Sequence, residues 1–314
     1  MNRIFITGAT GCIGQYVVEA LLRETEYELV LAVRDPERVP RPQREVPRVQ
    51  LVVGDLRDTD RWNQAARDAD SAVLIATSWT AGDESDAVNV DATAALLTHF
   101  DPSRCRRIIY FSTASILDAD GQMLAEAEML GTPYIRSKMR MRHLLDARAD
   151  LPPLVILYPT LVLGGDATHQ PSHLSRILTE AVRHRQYLRW FGGEGSFHVI
   201  HAADIAQIVS ALLSEPAITT GTREFILGNA RTTLDEAIDT LLVHSGSTRV
   251  ARISLSPWVT SALIALFRIR LAPWDRYCLR RRHFSYKRVV GAEAFGRKPA
   301  FPTLDAALNA APPR

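Results

Sequence analysis

The feature that most constrains this chain lies near its start. A short apolar run at 3–6 leads directly into Thr7-Gly8-Ala9-Thr10-Gly11-Cys12-Ile13-Gly14, and a segment with helical spacing follows at 15–23. At a strand–turn–helix junction each glycine answers a different need. Gly8 permits the tight turn, Gly11 lets the backbone approach a pyrophosphate, and Gly14 lets helix and strand pack closely. The start of the helix then offers unpaired N–H groups and a positive dipole end to phosphates. A dinucleotide site is expected here, built from Gly8, Thr10, Gly11, Cys12, Ile13 and Gly14.

The rhythm that follows supports a sheet able to carry such a turn. Apolar strands at 29–33, 49–53, 72–75, 107–111 and 154–157 alternate with helical patterns at 60–69 and 85–99 and with a helix that begins near Tyr134. That alternation implies βαβ units and a parallel sheet, an α/β fold of the Rossmann-type, doubly wound kind. After Gly164 the rhythm breaks. Residues 165–196 read as loops and one helix (172–185), 197–200 and 225–227 as short strands returning to the sheet, and the chain from Thr232 as mainly helix and loop. The expected organisation is a dinucleotide-binding domain, 1–164, to which 197–228 returns. A smaller, mainly helical C-terminal substrate lobe, 165–196 and 229–314, would cover the carboxyl ends of the strands, where ligands bind in open parallel sheets.

The end of the second strand bears on the choice of cofactor. An acidic residue there accepts from the ribose 2′-hydroxyl of NAD(H), whereas a cation accommodates the 2′-phosphate of NADP(H). The chain reads Val33-Arg34-Asp35-Pro36. Arg34 can hold a phosphate by paired hydrogen bonds, so NADP(H) is favoured over NAD(H). Asp35 either serves a ribose or starts the turn before Pro36. Asp55, ending the third strand, either contacts the adenine or caps the next turn.

Tyr134-Ile135-Arg136-Ser137-Lys138 places a phenol and an ammonium at i and i+4, on one face of a helix. A tyrosine ordinarily titrates near pH ~10, and a neighbouring cation favours its phenolate. The pair is therefore expected to move a proton to or from a substrate oxygen while hydride is transferred. The chain has eight tyrosines and only three lysines, with arginine supplying nearly all its other cations. Such a chain uses lysine where a compact ammonium matters. A hydroxyl at the end of the fifth strand should complete the set, and Ser112, Thr113 and Ser115 all offer one.

Composition narrows the class further. With 46% hydrophobic and 23% charged residues this is an ordinary globular chain. Its three dispersed cysteines argue against a disulfide framework and for a reducing, cytoplasmic setting. No secretory leader is expected, and the longest apolar run, 258–267, is half of what a bilayer span needs. The net charge of +2 conceals a basic stretch, 268–298. It reads first as a solvated face. An anionic substrate end, or a weak membrane-surface contact through 257–288, are the alternatives, and nucleic acid is not expected as a partner. His169 and His173 have helical ligand spacing but Pro171 lies between them, so no metal is expected. His198 and His201 flank a strand end and read first as packed histidines, with His201 facing the cofactor as the alternative. Trp190 and Phe191, with Trp258 and Phe267, read equally as an apolar pocket of the lobe or as its core.

Taken together these motifs resemble the extended branch of the short-chain dehydrogenase/reductase superfamily, the NAD-dependent epimerase/dehydratase-like proteins. The resemblance covers most of residues 1–230. It rests on the glycine turn, Gly54-Asp55-Leu56, Asn89-Val90-Asp91-Ala92-Thr93, Ser112-Thr113, Tyr134…Lys138, Pro159-Thr160 and His201-Ala202-Ala203-Asp204. It implies that Thr113 is the catalytic hydroxyl beside Tyr134 and Lys138. It also implies that Thr77, Asp55 and Leu56 flank the cofactor, that Pro159, Thr160 and Val162 lie beside the nicotinamide, and that the chain forms a homodimer. Leu161 stands where nucleotide-sugar epimerases carry an Asn, and leucine cannot hydrogen-bond a diphosphate. The stretch 159–164 is similar to dihydroflavonol reductases and 3β-hydroxysteroid dehydrogenases, which handle apolar ketones and alcohols.

The expected function is therefore an NADP(H)-dependent oxidoreductase acting on a ketone or secondary alcohol of a fairly apolar small molecule. A nucleotide-sugar epimerase or dehydratase using tightly bound NAD is the second reading. A non-catalytic NADP-binding sensor or scaffold is the third.

Overall fold

The computed structural model describes residues 2–80, 83–216, 221–254 and 271–310. Six strands come in the expected order: β1 (Arg3–Thr7), β2 (Glu28–Val33), β3 (Val49–Val53), β4 (Ser71–Leu74), β5 (Ile108–Phe111) and β6 (Leu154–Pro159). A seventh, β7 (Thr222–Leu227), completes a sheet of order β7-β6-β5-β4-β1-β2-β3. Every pairing in it is parallel. All residues of β5 and β6 are buried, as strands covered on both faces require. The order reverses between β1 and β4, so a crevice opens there at the carboxyl ends of the strands.

Helices fill both faces. α1 (Cys12–Glu24) follows the glycine turn directly. On the opposite face lies α2 (Pro133–Asp146), whose start is set locally: Thr132 accepts from the Ile135 amide and Pro133 occupies the first turn, where its missing N–H costs nothing. The later chain adds α3 (His173–Arg183), α4 (Ala202–Ser214), α5 (Leu234–His244), α6 (Pro273–Arg281) and α7 (Leu304–Ala310). α4 packs on α1. α5 opens with a full capping box between Thr233 and Glu236.

One expectation fails here. The stretch 197–200 does not return to the main sheet. Ser196–Phe197 pairs with Thr232–Thr233 and His283–Phe284, while Val199–His201 pairs with Leu161–Leu163. Only β7 rejoins the large sheet. The reason is length: two- and three-residue strands complete small local ladders and cannot span a wide sheet. Among the described residues no helix is long and apolar enough to cross a membrane. The apolar run 258–267, including Trp258 and Phe267, and the first residues of the basic stretch lie outside the described residues.

Candidate active site

A cavity of about 1060 Å³ runs along the carboxyl edge of the sheet. Its walls bring together Gly8, Thr10, Gly11, Cys12 and Ile13, then Arg34, Asp55, Leu56 and Thr77, then Thr113, Tyr134, Lys138, Pro159, Thr160 and Val162. Gly14 is the one expected cofactor residue that does not line it. Its place is structural: a Cβ there would stand 2.0 Å from the Gly8 carbonyl oxygen, so helix and turn could not close on each other. Gly8 has φ +75° and a Cβ on it would lie 2.7 Å from the Ala76 nitrogen, which ties the turn against the end of β4.

The shape and chemistry of this cavity fit a dinucleotide. α1 begins on Gly11 with no side chain capping its amide groups, so its dipole end is left for an anion. Ser112, on the same wall, has a buried hydroxyl with no hydrogen-bond partner among the described residues. At the far end Arg34 and Arg38 are exposed, line the cavity and form no ion pair among the described residues. Asp35 instead accepts from the Glu37 amide and caps the turn that starts at Pro36. Asp55 is likewise occupied: it takes a two-pronged contact from Arg57, at 2.8 and 2.9 Å, and these bonds hold its carboxyl down at about 2.

The Tyr134–Lys138 pair faces the cavity from α2, beside β5. Lys138 is buried, and its ammonium donates to the Phe111 carbonyl at 2.9 Å and to the Tyr110 hydroxyl at 3.4 Å. It stands 6.0 Å from the centre of the Tyr134 ring. Burial lowers its pKa to about 7. Burial also pushes the Tyr134 phenol up, an effect partly offset by its hydrogen bond with Thr113. The expectation of a phenol already made acidic by its neighbour is therefore not met by the protein alone. Loss of water penalises both charged forms, and here it outweighs their attraction. Thr113 also accepts from the Ser115 amide, which fixes its side chain at the end of β5.

Two groups in the site carried no role in the sequence reading. Asn89 lies in a π-helical stretch, Ala87–Ala92, and all its side-chain capacity is spent bridging the β4 loop to α2. Its oxygen accepts from the Thr77 hydroxyl (3.0 Å) and the Ser78 amide (2.7 Å), and its nitrogen donates to the Ser78 carbonyl and the Ser137 hydroxyl (both 2.9 Å). Ser137 in turn donates to the Tyr134 carbonyl. Trp79 is the other. Although exposed, it stacks on the Tyr134 ring, with His173 of α3 on it at 5.7 Å. Motif spacing pointed to Asn89, but nothing local distinguished Trp79.

The remaining histidines and aromatics are structural or lie elsewhere. His201 caps α4 by accepting from the Ala203 amide, and burial lowers its pKa to about 4. His169 bridges Asp166 and Glu19, pinning the loop after Gly164 to α1. No metal-binding group of His, Cys, Asp or Glu exists among the described residues. Trp190 and Phe191, expected in a pocket or a core, are instead partly exposed and line neither cavity described here. Phe191 sits on a two-residue ladder that pairs it with Ile253, and Trp190 directly precedes that ladder, which is too small to bury them.

Comparison with known proteins agrees with this geometry. A search of curated proteins found no match. Among solved structures, gox2253 is similar over 99% of this chain and 97% of its own, with 21% identity and a TM-score of 0.73. The dTDP-glucose 4,6-dehydratase (rfbB) of Bacillus anthracis str. Ames, in complex with NAD, is similar over 99% and 95%, with 14% identity and a TM-score of 0.69. The UDP-glucose 4-epimerase of Bifidobacterium longum, in complex with NAD+ and UDP, is similar over 81% and 86%, with 18% identity and a TM-score of 0.62. These identities speak for the fold. The model of the NAD dependent epimerase/dehydratase family matches residues 4–228. The chain belongs to that family, and so is an enzyme of the extended short-chain dehydrogenase/reductase type that works on CH–OH groups with a nicotinamide cofactor.

Proposed function

We propose that this enzyme is an NADP(H)-dependent oxidoreductase that interconverts a ketone and a secondary alcohol on a fairly apolar small molecule. One observation carries the reading. Around Tyr134 the lining includes Trp79, Leu161, His173, Leu174, Ile177 and Trp274, with Thr80, Glu84, Thr132 and Ser172 among its polar groups. Apart from Lys138, and from Arg34 and Arg38 at the far end, no arginine or lysine lines the cavity among the described residues. A nucleotide diphosphate needs cations or amide donors where this wall offers hydrocarbon. Leu161 makes the point at a single position.

A nicotinamide bound in this cavity would supply or accept the hydride. Tyr134 donates its proton to the carbonyl oxygen in reduction and recovers it in oxidation. Thr113 holds that oxygen by a hydrogen bond, so negative charge developing there is met by two donors. Lys138, in its charged form, favours the phenolate and would hold the ribose. Arg34 and Arg38 would receive a 2′-phosphate, with Asp35 engaged in its own turn, which favours NADP(H).

The second reading is a nucleotide-sugar epimerase or dehydratase using tightly held NAD. Its support is that two of the three structural relatives named above were solved with NAD, one of them also with UDP. The test is direct. The purified protein is analysed for copurifying dinucleotide, then assayed with NADPH or NADH and a set of apolar ketones, following loss of reduced nicotinamide. Turnover that depends on added NADPH supports the reductase. Stoichiometric bound NAD with no ketone turnover supports the epimerase.

A further inference from the structure

We propose that the substrate carries an apolar, uncharged arm the size of one or two rings, seated in a second cavity that opens off the reaction site beside Leu161 and Trp274. The position of the reacting carbonyl rests on the reductase reading above; the arm's seat rests on the following geometry.

A smaller cavity of about 230 Å³ shares Ser115, Thr160, Leu161 and Trp274 with the main one. Ser115 lies two residues past Thr113, the proposed carbonyl donor. A molecule whose oxygen sits between Thr113 and Tyr134 therefore has this space as its neighbour. The rest of the wall includes Phe197, Cys278, Phe284 and Tyr286, and among the described residues no Asp, Glu, Lys or Arg lines it.

Three of the polar side chains around this space are satisfied from behind, while the Ser115 hydroxyl, at its junction with the main cavity, forms no hydrogen bond among the described residues. The His198 ring bonds the Asn229 carbonyl through Nδ1 (2.8 Å) and accepts the Tyr286 amide at Nε2 (3.3 Å), which assigns it the neutral form. The Tyr286 hydroxyl donates to the Ala114 carbonyl at 2.7 Å, and Thr160 donates to the Leu227 carbonyl at 2.8 Å. A charged or strongly polar arm would lose its water here and find few partners in return. An apolar arm loses nothing and removes its own surface from water.

The volume limits the arm. An apolar cavity of roughly 150 Å³ holds benzene, so this one takes about nine carbon atoms by proportion. Filling it should tighten binding about ten- to a hundredfold, the usual return for burying a phenylalanine-sized group.

The experiment titrates the intact enzyme, saturated with oxidised cofactor, with 2-butanone and with 4-phenyl-, 4-naphthyl- and 4-pyrenyl-2-butanone, by calorimetry. The expected result is a Kd that falls at least tenfold from 2-butanone to the phenyl or naphthyl ketone, and a gain that disappears with the pyrenyl arm. Cys278→Trp, which fills the cavity, should cut the ratio of phenyl-ketone to 2-butanone affinity at least fivefold, with circular dichroism melting confirming that the variant is folded. A Kd indifferent to the arm in the unaltered enzyme overturns the proposal, as does an arm-dependent gain that folded Cys278→Trp leaves intact. Turnover of the same ketones with reduced cofactor is read separately. Arm-dependent affinity without reduction keeps the subsite and removes the reductase reading, and reduction without arm dependence does the reverse.

Discussion

The indole of Trp79 lies face to face with the phenol of Tyr134, ring centres 3.8 Å apart and planes 20° from parallel. The two come from different elements, the loop after β4 and the first turn of α2, and the contact fixes how a substrate can reach the phenol. With His173 on it as well, Trp79 forms the layer between the proposed acid and the α3 side of the cavity.

Trp79→Ala should therefore raise KM for an apolar ketone about two- to tenfold, the range expected from losing one aromatic stack. kcat should change less, because the indole carries no proton in the reaction. Steady-state kinetics separates the two, and a fall in kcat alone would assign Trp79 a different role.

Tyr134→Phe removes the proton donor and keeps the ring that stacks on Trp79. The expected loss is about a hundred- to ten-thousandfold in kcat, the usual contribution of a positioned general acid, with cofactor affinity retained. Thermal unfolding should move little, since the aromatic packing survives. Stopped-flow measurement of hydride transfer in single turnovers checks that the chemical step is the one affected.

Arg34→Ala should weaken NADP+ binding about tenfold or more, the value of one charge-assisted hydrogen bond to phosphate, and leave NAD+ binding nearly unchanged. Arg38→Ala should act in the same direction. Fluorescence titration with both cofactors reads the difference. Equal losses for both would move the 2′-phosphate elsewhere.

His201 gives a pH prediction whose sign follows from burial. Its pKa is about 4 in the folded protein and near the ordinary histidine value when unfolded, so the unfolded chain binds the extra proton between those limits. Stability contributed by the neutral ring is complete above about pH 6.5 and is lost as pH falls toward 4. His201→Gln should flatten the dependence of melting temperature on pH across that window, at some cost in stability near neutrality from the altered α4 cap. An unchanged slope would show that other groups govern acid sensitivity.

Much of the site was legible because it is local. The glycine turn needs only its own residues and the strand and helix that flank it, and neither Gly8 nor Gly14 leaves room for a Cβ. Tyr134 and Lys138 share a helix face by arithmetic. The state of that pair was not legible. Spacing says that an ammonium stands near a phenol, but the depth at which Lys138 and Tyr134 sit decides that desolvation outweighs their attraction. Phe197 was misplaced for a related reason: a short apolar run carries no address for its pairing partner, and here that partner is Thr232.

The sequence by itself determined the parallel sheet, the glycine turn and the helix that carries the phenol and ammonium, because each depends on contacts within a few residues. Tertiary structure alone decided which distant side chains meet in the cleft. Trp79 meets Tyr134, Asn89 meets Ser137, and Trp274 and Leu161 line one cavity, across long stretches of chain and through the burial of whole helices and sheets rather than any local preference. Those meetings shape the cleft, which is why the class of chemistry could be read from the chain and the form of the cavity only from its fold.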